Sequence, residues 1–343
     1  MGEVASAAGV GTGTVSRVLN GHPHVRDETR RRVLAVIRQL GYRPNRLAVG
    51  LASGSTRAVA VLVPFLSRPS VVARFAGIIA VLDAERFDCI VCNVETPEQR
   101  DRHLRAWTEL HRVDGILIVS VPLRREQLDA LRATGVPLVL IDVDAAGVPR
   151  VVVDDVAGGR LATGHLLALG HRRIGFVGDD PEGPLNSAAS SRRLDGYRRA
   201  LREAGIAADA GLVRRGEHSA ANAAELAIGL LERPDPPTAV FAASDTQALG
   251  VMQAAEKVGR RIPGDLSVVG FDDIDTAELL GLTTVRQPLQ RSGAIGAGLI
   301  CSLIRDEPAA PARTVLPLQL MPRTTSAPPP VPALAGAACP PEK

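Results

Sequence analysis

The chain has 343 residues, of which 45% are hydrophobic and 22% are charged, so it can build one large or two medium domains beside a small one. It lacks a run of about 18 uncharged apolar residues, which argues against a membrane-spanning helix, and its first residues lack a secretion-signal pattern, so we expect a cytoplasmic protein. Its 4 cysteines, Cys89, Cys92, Cys301 and Cys339, are too few and too scattered for a disulfide framework.

Positive charge is concentrated at the N-terminus. Residues 1–57 contain nine arginines against Glu3, Asp27 and Glu28, which gives this segment a net charge of +6. The whole chain carries +3, so the remaining residues carry −3. A basic segment on a mildly acidic body favours a polyanionic partner for that segment, although a solvated basic surface would have the same composition.

Three short helices are predicted near the N-terminus, over residues 3–8, 12–19 and 27–40. In the second helix Val15, Val18 and Leu19 form an apolar stripe at helical spacing. A short helix, a tight turn and a second helix with a polar outer face form the arrangement of a helix-turn-helix DNA reader.

The second helix carries the predicted base-reading face. With its apolar stripe buried, its polar residues face outward, and Arg17 has the fork geometry to contact a guanine edge or a phosphate. Thr12 and Ser16 can bond to either, whereas Gly13 allows close approach without reading a base. The glycines at 9, 11 and 13 resemble a nucleotide-binding loop, but no strand precedes them, so we reject that interpretation.

From residue 58 onward, short β-rich runs alternate with segments of helix length. The predicted strands are 58–63, 89–92, 115–119, 137–141, 151–153, 173–177, 238–242 and 266–270. Near-continuous apolar strands that alternate with helices indicate parallel sheets covered on both faces, and two such sheets fit this length. Small molecules bind such folds at the carboxyl ends of the strands. The proline-rich tail from residue 326 is expected to be disordered.

The N-terminal motifs TVSRVLNGHPHV (residues 14–25) and ETRRRVLAVIRQLGYRPN (residues 28–45) closely resemble the DNA-binding headpiece of the lactose-repressor (LacI) family. The resemblance implies DNA contacts at Thr12, Gly13, Thr14, Ser16, Arg17, Asn20 and Asn45. It also implies that residues 46–51 form a hinge helix that folds on operator DNA and wedges Leu51 into the minor groove. Ordinary linker packing is the alternative role for this leucine.

Three departures from the family pattern weaken the predicted headpiece. The chain begins at Met1-Gly2-Glu3, without several residues that usually precede the first helix, which points to a start codon further upstream. Gly11 stands where Ser or Thr usually caps the recognition helix, and Gly13 lowers its helix propensity by about 1 kcal/mol. Arg26 stands where a capping Ser is common. We therefore expect isolated residues 1–56 to have low helicity until operator DNA is added.

The rest of the chain resembles the family's effector domain, through VDD (153–155), HLLALGHRRI (165–174), RLDGY (193–197), FAASD (241–245), VGFDD (269–273) and LTTVRQP (282–288). The resemblance implies an α/β fold: an all-α helix-turn-helix headpiece followed by a two-lobed sensor of the type I periplasmic-binding-protein kind, with parallel Rossmann-like sheets. The implied domains are a headpiece (1–41), a hinge and linker (42–57), an effector domain (58–325) and a tail (326–343). Within the effector domain, the implied N-lobe covers about 58–157 and 287–313, and the implied C-lobe about 158–286 and 314–325.

Seven residues match positions that line the family's effector pocket: Ser120, Asp142, Arg193, His218, Asp245, Asp272 and Gln287. Arg193 matches an arginine that clasps ligand oxygens, since its fork fits a diol or a carboxylate. A purely structural ion pair is the alternative. Asp272 matches an acidic residue that accepts hydrogen bonds from ligand hydroxyl or amine groups. The usual Pro-aromatic-aromatic stretch is replaced by Pro69-Ser70-Val71, so its stacking surface is lost.

The function implied is an allosteric transcriptional regulator, a repressor, that binds double-stranded operator DNA as a homodimer and responds to a sugar or related polar metabolite. Neither catalytic residues nor a metal or other cofactor are expected, because no nucleophile–base pair, metal cluster or cofactor fingerprint occurs. The CxxC at Cys89 and Cys92 lies in an apolar run, which favours a buried strand over a metal site. The alternatives are a solute-binding protein, which has no use for residues 1–51, and a sugar-processing enzyme.

Overall fold

The structure is a computed structural model that describes residues 1–19, 22–42, 55–109, 113–183, 185, 188–308 and 311–330. It divides into two compact units, Met1–Arg57 and Ala58–Lys343. Within the described ranges, no helix combines the length and the apolar character needed to cross a bilayer.

The first unit contains three helices, α1 (Gly2–Ala8), α2 (Thr12–Leu19) and α3 (Asp27–Gln39), as the sequence predicts. Gly9 ends α1 with a left-handed φ of 63°, which glycine adopts without a steric cost. The helices enclose a small apolar core in which Val4, Val15 and Val33 are fully buried.

The second unit contains two six-stranded sheets. Its strands are β1 (Ala58–Pro64), β2 (Asp88–Val94), β3 (Gly115–Val119), β4 (Leu138–Ile141), β5 (Arg150–Val153), β6 (Ile174–Asp179), β7 (Val213–Gly216), β8 (Ala239–Ala242), β9 (Ser267–Asp272), β10 (Thr283–Arg286), β11 (Arg313–Leu316) and β12 (Gln319–Met321). The first sheet has the order β11-β5-β4-β3-β1-β2, and all of its pairs are parallel. The second has the order β12-β10-β9-β8-β6-β7, in which only the described β10–β12 pair is antiparallel.

Helices cover both sheets. They are α4 (Pro69–Ala84), α5 (Pro97–Glu109), α6 (Arg125–Ala133), α7 (Asp155–Ala168), α8 (Ala188–Glu203), α9 (Ala220–Leu231), α10 (Asp245–Lys257), α11 (Asp275–Leu279) and α12 (Leu289–Ile304). Every residue of β1 is buried, and its alternate residues belong to separate apolar clusters on the two faces of the sheet. This is the burial expected of a parallel strand between two helical layers, and it explains the uninterrupted apolar run. Cys89 and Cys92 lie in β2, packed on opposite faces of the same sheet, as expected of strand residues.

The chain crosses between the two lobes three times, and two of the crossings correct the predicted boundaries. β11 pairs with β5 in the first sheet, so the last crossing follows Leu316 rather than residue 313. α7 packs mainly against α8 in the second lobe, so the first crossing precedes residue 155 rather than residue 158. Both differences arise because strand pairing and helix packing, rather than local pattern, decide which lobe a segment joins.

The prediction that disorder begins at residue 326 is wrong for the first residues of the tail. The hydroxyl of Ser326 lies 2.9 Å from Nε2 of His165, and the amide of Ala327 donates to the hydroxyl of Ser267 at 3.0 Å. Buried hydroxyl and imidazole groups of the second lobe need hydrogen-bond partners, and this segment supplies them.

Candidate effector cleft and nucleic-acid interface

Helix α2 presents a polar face to solvent. Val15 and Val18 turn into the core, while Thr12, Gly13 and Arg17 are exposed, and Thr14 and Ser16 are partly buried. A Cβ added at Gly13 would have no neighbour within 4 Å, so the surface there is open. The predicted DNA contacts Asn20, Asn45 and Leu51 lie outside the described residues.

The entry to α3 lacks a side-chain cap. Arg26 precedes α3 with an extended backbone, and its side chain makes no capping hydrogen bond. Asp27 and Glu28 in the first turn partly compensate, since negative charge favours a helix N-terminus.

In the second unit, loops at the carboxyl ends of strands from both sheets surround one central cavity of about 60 Å³. Six of the seven predicted effector residues line it: Ser120, Asp142, Arg193, His218, Asp272 and Gln287. This is where open parallel sheets bind ligands, because polar groups converge at the ends of the strands.

Three of these residues are held in left-handed backbone conformations. Ser120, Asp142 and Asp272 have φ values of 51°, 62° and 120°, and each lies at the end of a strand. Such a conformation costs a residue other than glycine about 1 kcal/mol or more, so it persists only where surrounding contacts require it. Because three such residues surround one cavity, their side chains are held in a defined direction toward it.

Arg193 is fixed by several contacts at once. Its Nε donates to Asp155 at 2.9 Å, its Nη1 donates to the carbonyl oxygen of Ala243 at 2.6 Å, and its guanidinium carbon lies 3.7 Å from the centre of the Phe271 ring. Nη1 also lies 3.8 Å from the carboxylate of Asp272. The residue therefore forms a buried ion pair and also lines the cavity, and its contact with a ligand stays a prediction.

A second arginine, Arg74 of α4, enters the cavity from the first lobe. It is 4% exposed, donates to Gln287 at 3.0 Å and lies 3.3 Å from the carboxylate of Asp142. Asp142 also accepts a hydrogen bond of 2.8 Å from Ser120, and Gln287 donates to Asp272 at 2.5 Å. The polar side chains thus form one connected network across the cavity.

On the second lobe, Asp179 at the end of β6 anchors the opposite wall. One of its carboxylate oxygens lies 2.9 Å from Nδ1 of His218 and accepts a 2.9 Å hydrogen bond from Gln247. Burial alone would raise the pKa of Asp179, but the hydrogen bond and charge of His218 outweigh it and lower the pKa. The carboxylate is therefore charged and oriented for hydrogen bonding at the cavity.

Burial dominates the ionisation of the carboxyl groups around Arg193. It raises the pKa of Asp155 to about 6 against the opposing charge of Arg193, and it raises the pKa of Asp272 against Arg193 and Arg74. Arg193 itself is affected in the opposite way: burial lowers its pKa, but the carboxylates of Asp155 and Asp272 outweigh burial and raise it.

Asp245 is the one predicted effector residue that the structure does not bring to the central cavity. Its side chain is fully buried at the start of α10, where it accepts hydrogen bonds from the Thr284 hydroxyl at 2.5 Å and the Ile274 amide at 2.9 Å. It does not line the central cavity. The carboxylate instead ties α10 to the segments that follow β9 and β10, because those buried donors need an acceptor.

Six polar cavity residues were missed from the sequence: Arg68, Ser70, Arg74, Asp179, Ser190 and Ser244. Asp179 follows a predicted strand, so its position at a carboxyl end could have indicated it. The two arginines gave no such signal, because a helix-forming segment does not reveal which lobe or cavity its polar face meets.

The central cavity adjoins a wider cleft of about 440 Å³ that shares Arg68, Asp179 and His218 with it. Phe65 lines this cleft, so an aromatic ring is present although the usual aromatic pair at residues 70 and 71 is absent. The volume falls in the range typical of small-molecule sites. Over the described part of the chain, no group of three or more His, Cys, Asp or Glu residues is arranged to hold a metal ion.

Both units match known protein families. Residues 1–45 match the family described as "Bacterial regulatory proteins, lacI family", and residues 163–326 match a "Periplasmic binding protein-like domain". The helix-turn-helix and the two-sheet sensor therefore agree with the fold expected from the sequence.

Relatives match over nearly their whole length. The chain is 33% identical to catabolite control protein A of Priestia megaterium, with 89% of this chain and 92% of that protein covered. It is 35% identical to the transcriptional regulator CelR of Thermobifida fusca, with 93% and 96% covered. Both names describe regulators rather than enzymes.

Solved structures give the same result. The Lac repressor dimer bound to operator and the anti-inducer ONPF superposes with a TM-score of 0.82 at 30% identity, covering 94% of this chain and 98% of that one. A complex of CelR with cellobiose superposes with a TM-score of 0.70 at 35% identity, with the same coverage. The chain belongs to the LacI family of bacterial regulatory proteins.

Proposed function

We propose that this chain is a sequence-specific, DNA-binding transcriptional repressor whose operator affinity is controlled by a small polar effector, a sugar or a related metabolite. The observation that carries the proposal is the central cavity, where strand ends from both lobes bring Ser120, Asp142 and Asp272 together with Arg193 of α8. Donors and acceptors alternate around it, which suits a ligand rich in hydroxyl groups. The CelR complex, whose ligand is cellobiose, supports this class of effector.

The DNA-binding surface in this proposal is the polar face of α2. Arg17 provides the main base or phosphate contact, with Thr12, Thr14 and Ser16 beside it and Gly13 allowing close approach. Asn20, Asn45 and Leu51 complete the proposed surface. The operator-bound Lac repressor supports this assignment by its similarity along the whole chain.

A homodimer places two headpieces on the half-sites of a pseudo-palindromic operator. The sensor unit exposes large apolar side chains that a second copy would cover, notably Leu279 (84% exposed), Val72 (50%) and Ile79 (43%). The dimeric Lac repressor supports the same stoichiometry.

Regulation follows from ligand-dependent lobe geometry. An effector that binds better to one arrangement of the lobes shifts the population toward it, and that shift changes the affinity for operator. A coupling free energy of about 1–3 kcal/mol is ordinary for such a switch and must act equally in both directions.

The test is a gel-shift assay of the full chain with DNA upstream of its own gene. Arg17→Ala should abolish the specific shift, because it removes the fork that contacts a base or phosphate, while ligand binding measured by calorimetry is retained. Asp142→Asn should give the reverse pattern: a normal shift that no longer responds to effector. A specific shift that survives Arg17→Ala would contradict the assignment of α2, and a protein that binds ligand but no upstream DNA would favour a solute-binding role.

A further inference from the structure

Arg68 occupies an unusual position at the entrance of α4. It immediately precedes the helix, and its guanidinium carbon lies 3.9 Å from the centre of the Phe65 ring. Phe65 has a left-handed φ of 44°, which is rare for a bulky residue. The arginine lines both the central cavity and the wider cleft, so it stands where a ligand in either would meet it.

The charge of Arg68 is partly desolvated and lacks a bonded counter-ion. Burial lowers the pKa of Arg68, and the more distant charges of Asp179 and Glu217 offset only part of this effect. Its guanidinium makes no hydrogen bond or ion pair with any residue in the described ranges; the contact it does make is with the face of Phe65. Arg68 is partly buried, and its nitrogens are not among the fully buried donors without a partner, so its donors stay open to an acceptor that enters the cleft.

The other arginines of the central cavity are compensated differently. Arg193 pairs with Asp155, and Arg74 lies beside Asp142. Arg74 nevertheless keeps one buried donor, Nε, that has no hydrogen-bond partner among the described residues. An unsatisfied buried donor costs about 1–3 kcal/mol, so a ligand acceptor at this point would remove an existing penalty.

The start of α4 adds a third favourable feature. Ser70 and Val71, in the first turn of this 16-residue helix, line the same central cavity as Arg68 and Arg74. The amides of Val71 and Val72 already donate to the carbonyl oxygen of Arg68, so the helix contributes mainly its dipole, which attracts negative charge at the N-terminus. The first lobe therefore presents two arginines with unused donors and a helix N-terminus to one end of the cleft.

We propose that this end of the cleft binds an oxyanion carried by the effector. The inference rests on the proposed effector-binding function and narrows its ligand class to polyhydroxylated acids. The carboxylate or phosphate of the ligand faces Arg68 and the start of α4, where it accepts charge-assisted hydrogen bonds. Its hydroxyl groups face Asp142, Asp179 and Asp272, which accept hydrogen bonds.

The first experiment compares acids with their neutral parent. Binding of D-gluconate, D-glucuronate, D-glucose 6-phosphate and D-glucose to the full chain is measured by calorimetry and by the shift in Tm. We expect at least one acid to bind about tenfold or more tightly than glucose, because the acid gains a charge-assisted contact. Preference for the sugar acids or for the sugar phosphate identifies the anion. Equal binding of glucose, or no binding by any of the three acids, would overturn the proposal.

The second experiment removes the cation. Arg68→Gln should weaken the binding of the preferred acid about tenfold, because the ligand loses its charge-assisted contact. The Tm of the ligand-free protein should not change, because the substitution removes a charge that has no bonded partner. Arg125→Gln is the matched control, since Arg125 lies in α6 of the same lobe and its side chain is 91% exposed. An arginine with only a structural role would instead lower the ligand-free Tm and leave the preference for the acid intact, and that result would refute the site.

The gel shift separates this inference from the proposed function. Ligand-free Arg68→Gln should bind upstream DNA as the wild type does, because the substitution lies in the sensor unit. A normal shift without acid preference would refute the anion site alone. If the wild-type protein gives no gel shift with upstream DNA, the regulatory function on which the site depends is refuted.

Discussion

At the scale of single residues, the cleft is a set of buried charges whose compensation is nearly complete. Arg193 is satisfied by a carboxylate, a carbonyl oxygen and an aromatic face, so its guanidinium is positioned before any ligand arrives. Replacing it would leave Asp155 and Asp272 buried without their partner, and such changes cost several kcal/mol. For this reason a loss of ligand binding in an Arg193 variant would not distinguish contact from folding, whereas Arg68→Gln leaves both buried pairs, Arg193 with Asp155 and Arg74 with Asp142, intact.

Asp245 offers a pH-dependent test of its buried position. Burial and the charge of Asp272 raise the pKa of Asp245 to about 7, against the hydrogen bonds from Thr284 and Ile274. The folded protein therefore holds a proton that the unfolded chain releases near its ordinary pKa. This contribution to stability is complete below about pH 4, and it is lost as the pH rises to about 7.

Asp245→Asn removes this titration. From about pH 5 to about pH 8, the free energy of unfolding of the wild type should fall relative to that of the variant by roughly 2–3 kcal/mol, measured by urea denaturation. Taking the difference between the two proteins cancels the histidines whose pKa values burial lowers, His103, His165 and His171. A difference that does not change with pH would show that Asp245 is already ionised in the folded state.

At the scale of elements, two close helix crossings position the two buried arginines. A Cβ at Gly293 of α12 would lie 1.9 Å from the carbonyl oxygen of Arg74, and one at Gly159 of α7 would lie 2.1 Å from that of Arg193. Neither distance is possible for a real side chain, so each glycine lets a neighbouring backbone approach directly. The backbone of each arginine is thus held against a second helix, which sets the depth at which its side chain enters the cleft.

Gly293→Ala should therefore destabilise the protein by about 1–3 kcal/mol, because α4 and α12 must separate, and it should also weaken effector binding by moving Arg74. Gly298→Ala in the same helix is the matched control, since a Cβ there has no neighbour within 4 Å. It should leave stability unchanged or raise it by up to about 1 kcal/mol through helix propensity. Urea denaturation measures both, and similar effects of the two substitutions would contradict the role of the crossing.

At the scale of the whole molecule, the proposed regulator depends on an interface between two copies. Leu279, at the end of α11, is the most exposed of the large apolar side chains in the described residues. Side chains of this kind, unless scattered singly, mark surfaces that another protein covers. The proposed dimer accounts for their exposure in a single chain.

Leu279→Glu should convert the dimer to a monomer, because it places two desolvated charges in a self-complementary interface. Sedimentation velocity measures the change, and operator affinity in the gel shift should fall with it, since the two half-sites are no longer bound together. Ala130→Glu in α6, at an exposed position, adds the same charge as a control and should remain dimeric. A dimeric Leu279→Glu protein would place the interface elsewhere.

The sequence alone determined the fold class of the two units and the positions of most helices and strands along the chain. Helical periodicity located α1, α2 and α3, apolar runs located the central strands, and the family motifs marked six of the residues that line the cavity. These features are local or tied to strand ends, and the fold class determines where strand ends converge. The strands β7, β10, β11 and β12 were not predicted, because short strands with mixed burial carry little periodic signal.

Only the tertiary structure decided how each polar group is satisfied. It turned Asp245 away from the cavity toward buried donors, brought Arg68 and Arg74 into the cleft, and joined β11 to the first sheet. The physical reason is that hydrogen bonds, ion pairs and strand pairs join residues far apart in the chain, so their partners exist only after the lobes have packed. The charge that remains uncompensated at Arg68 is visible only in that packed state.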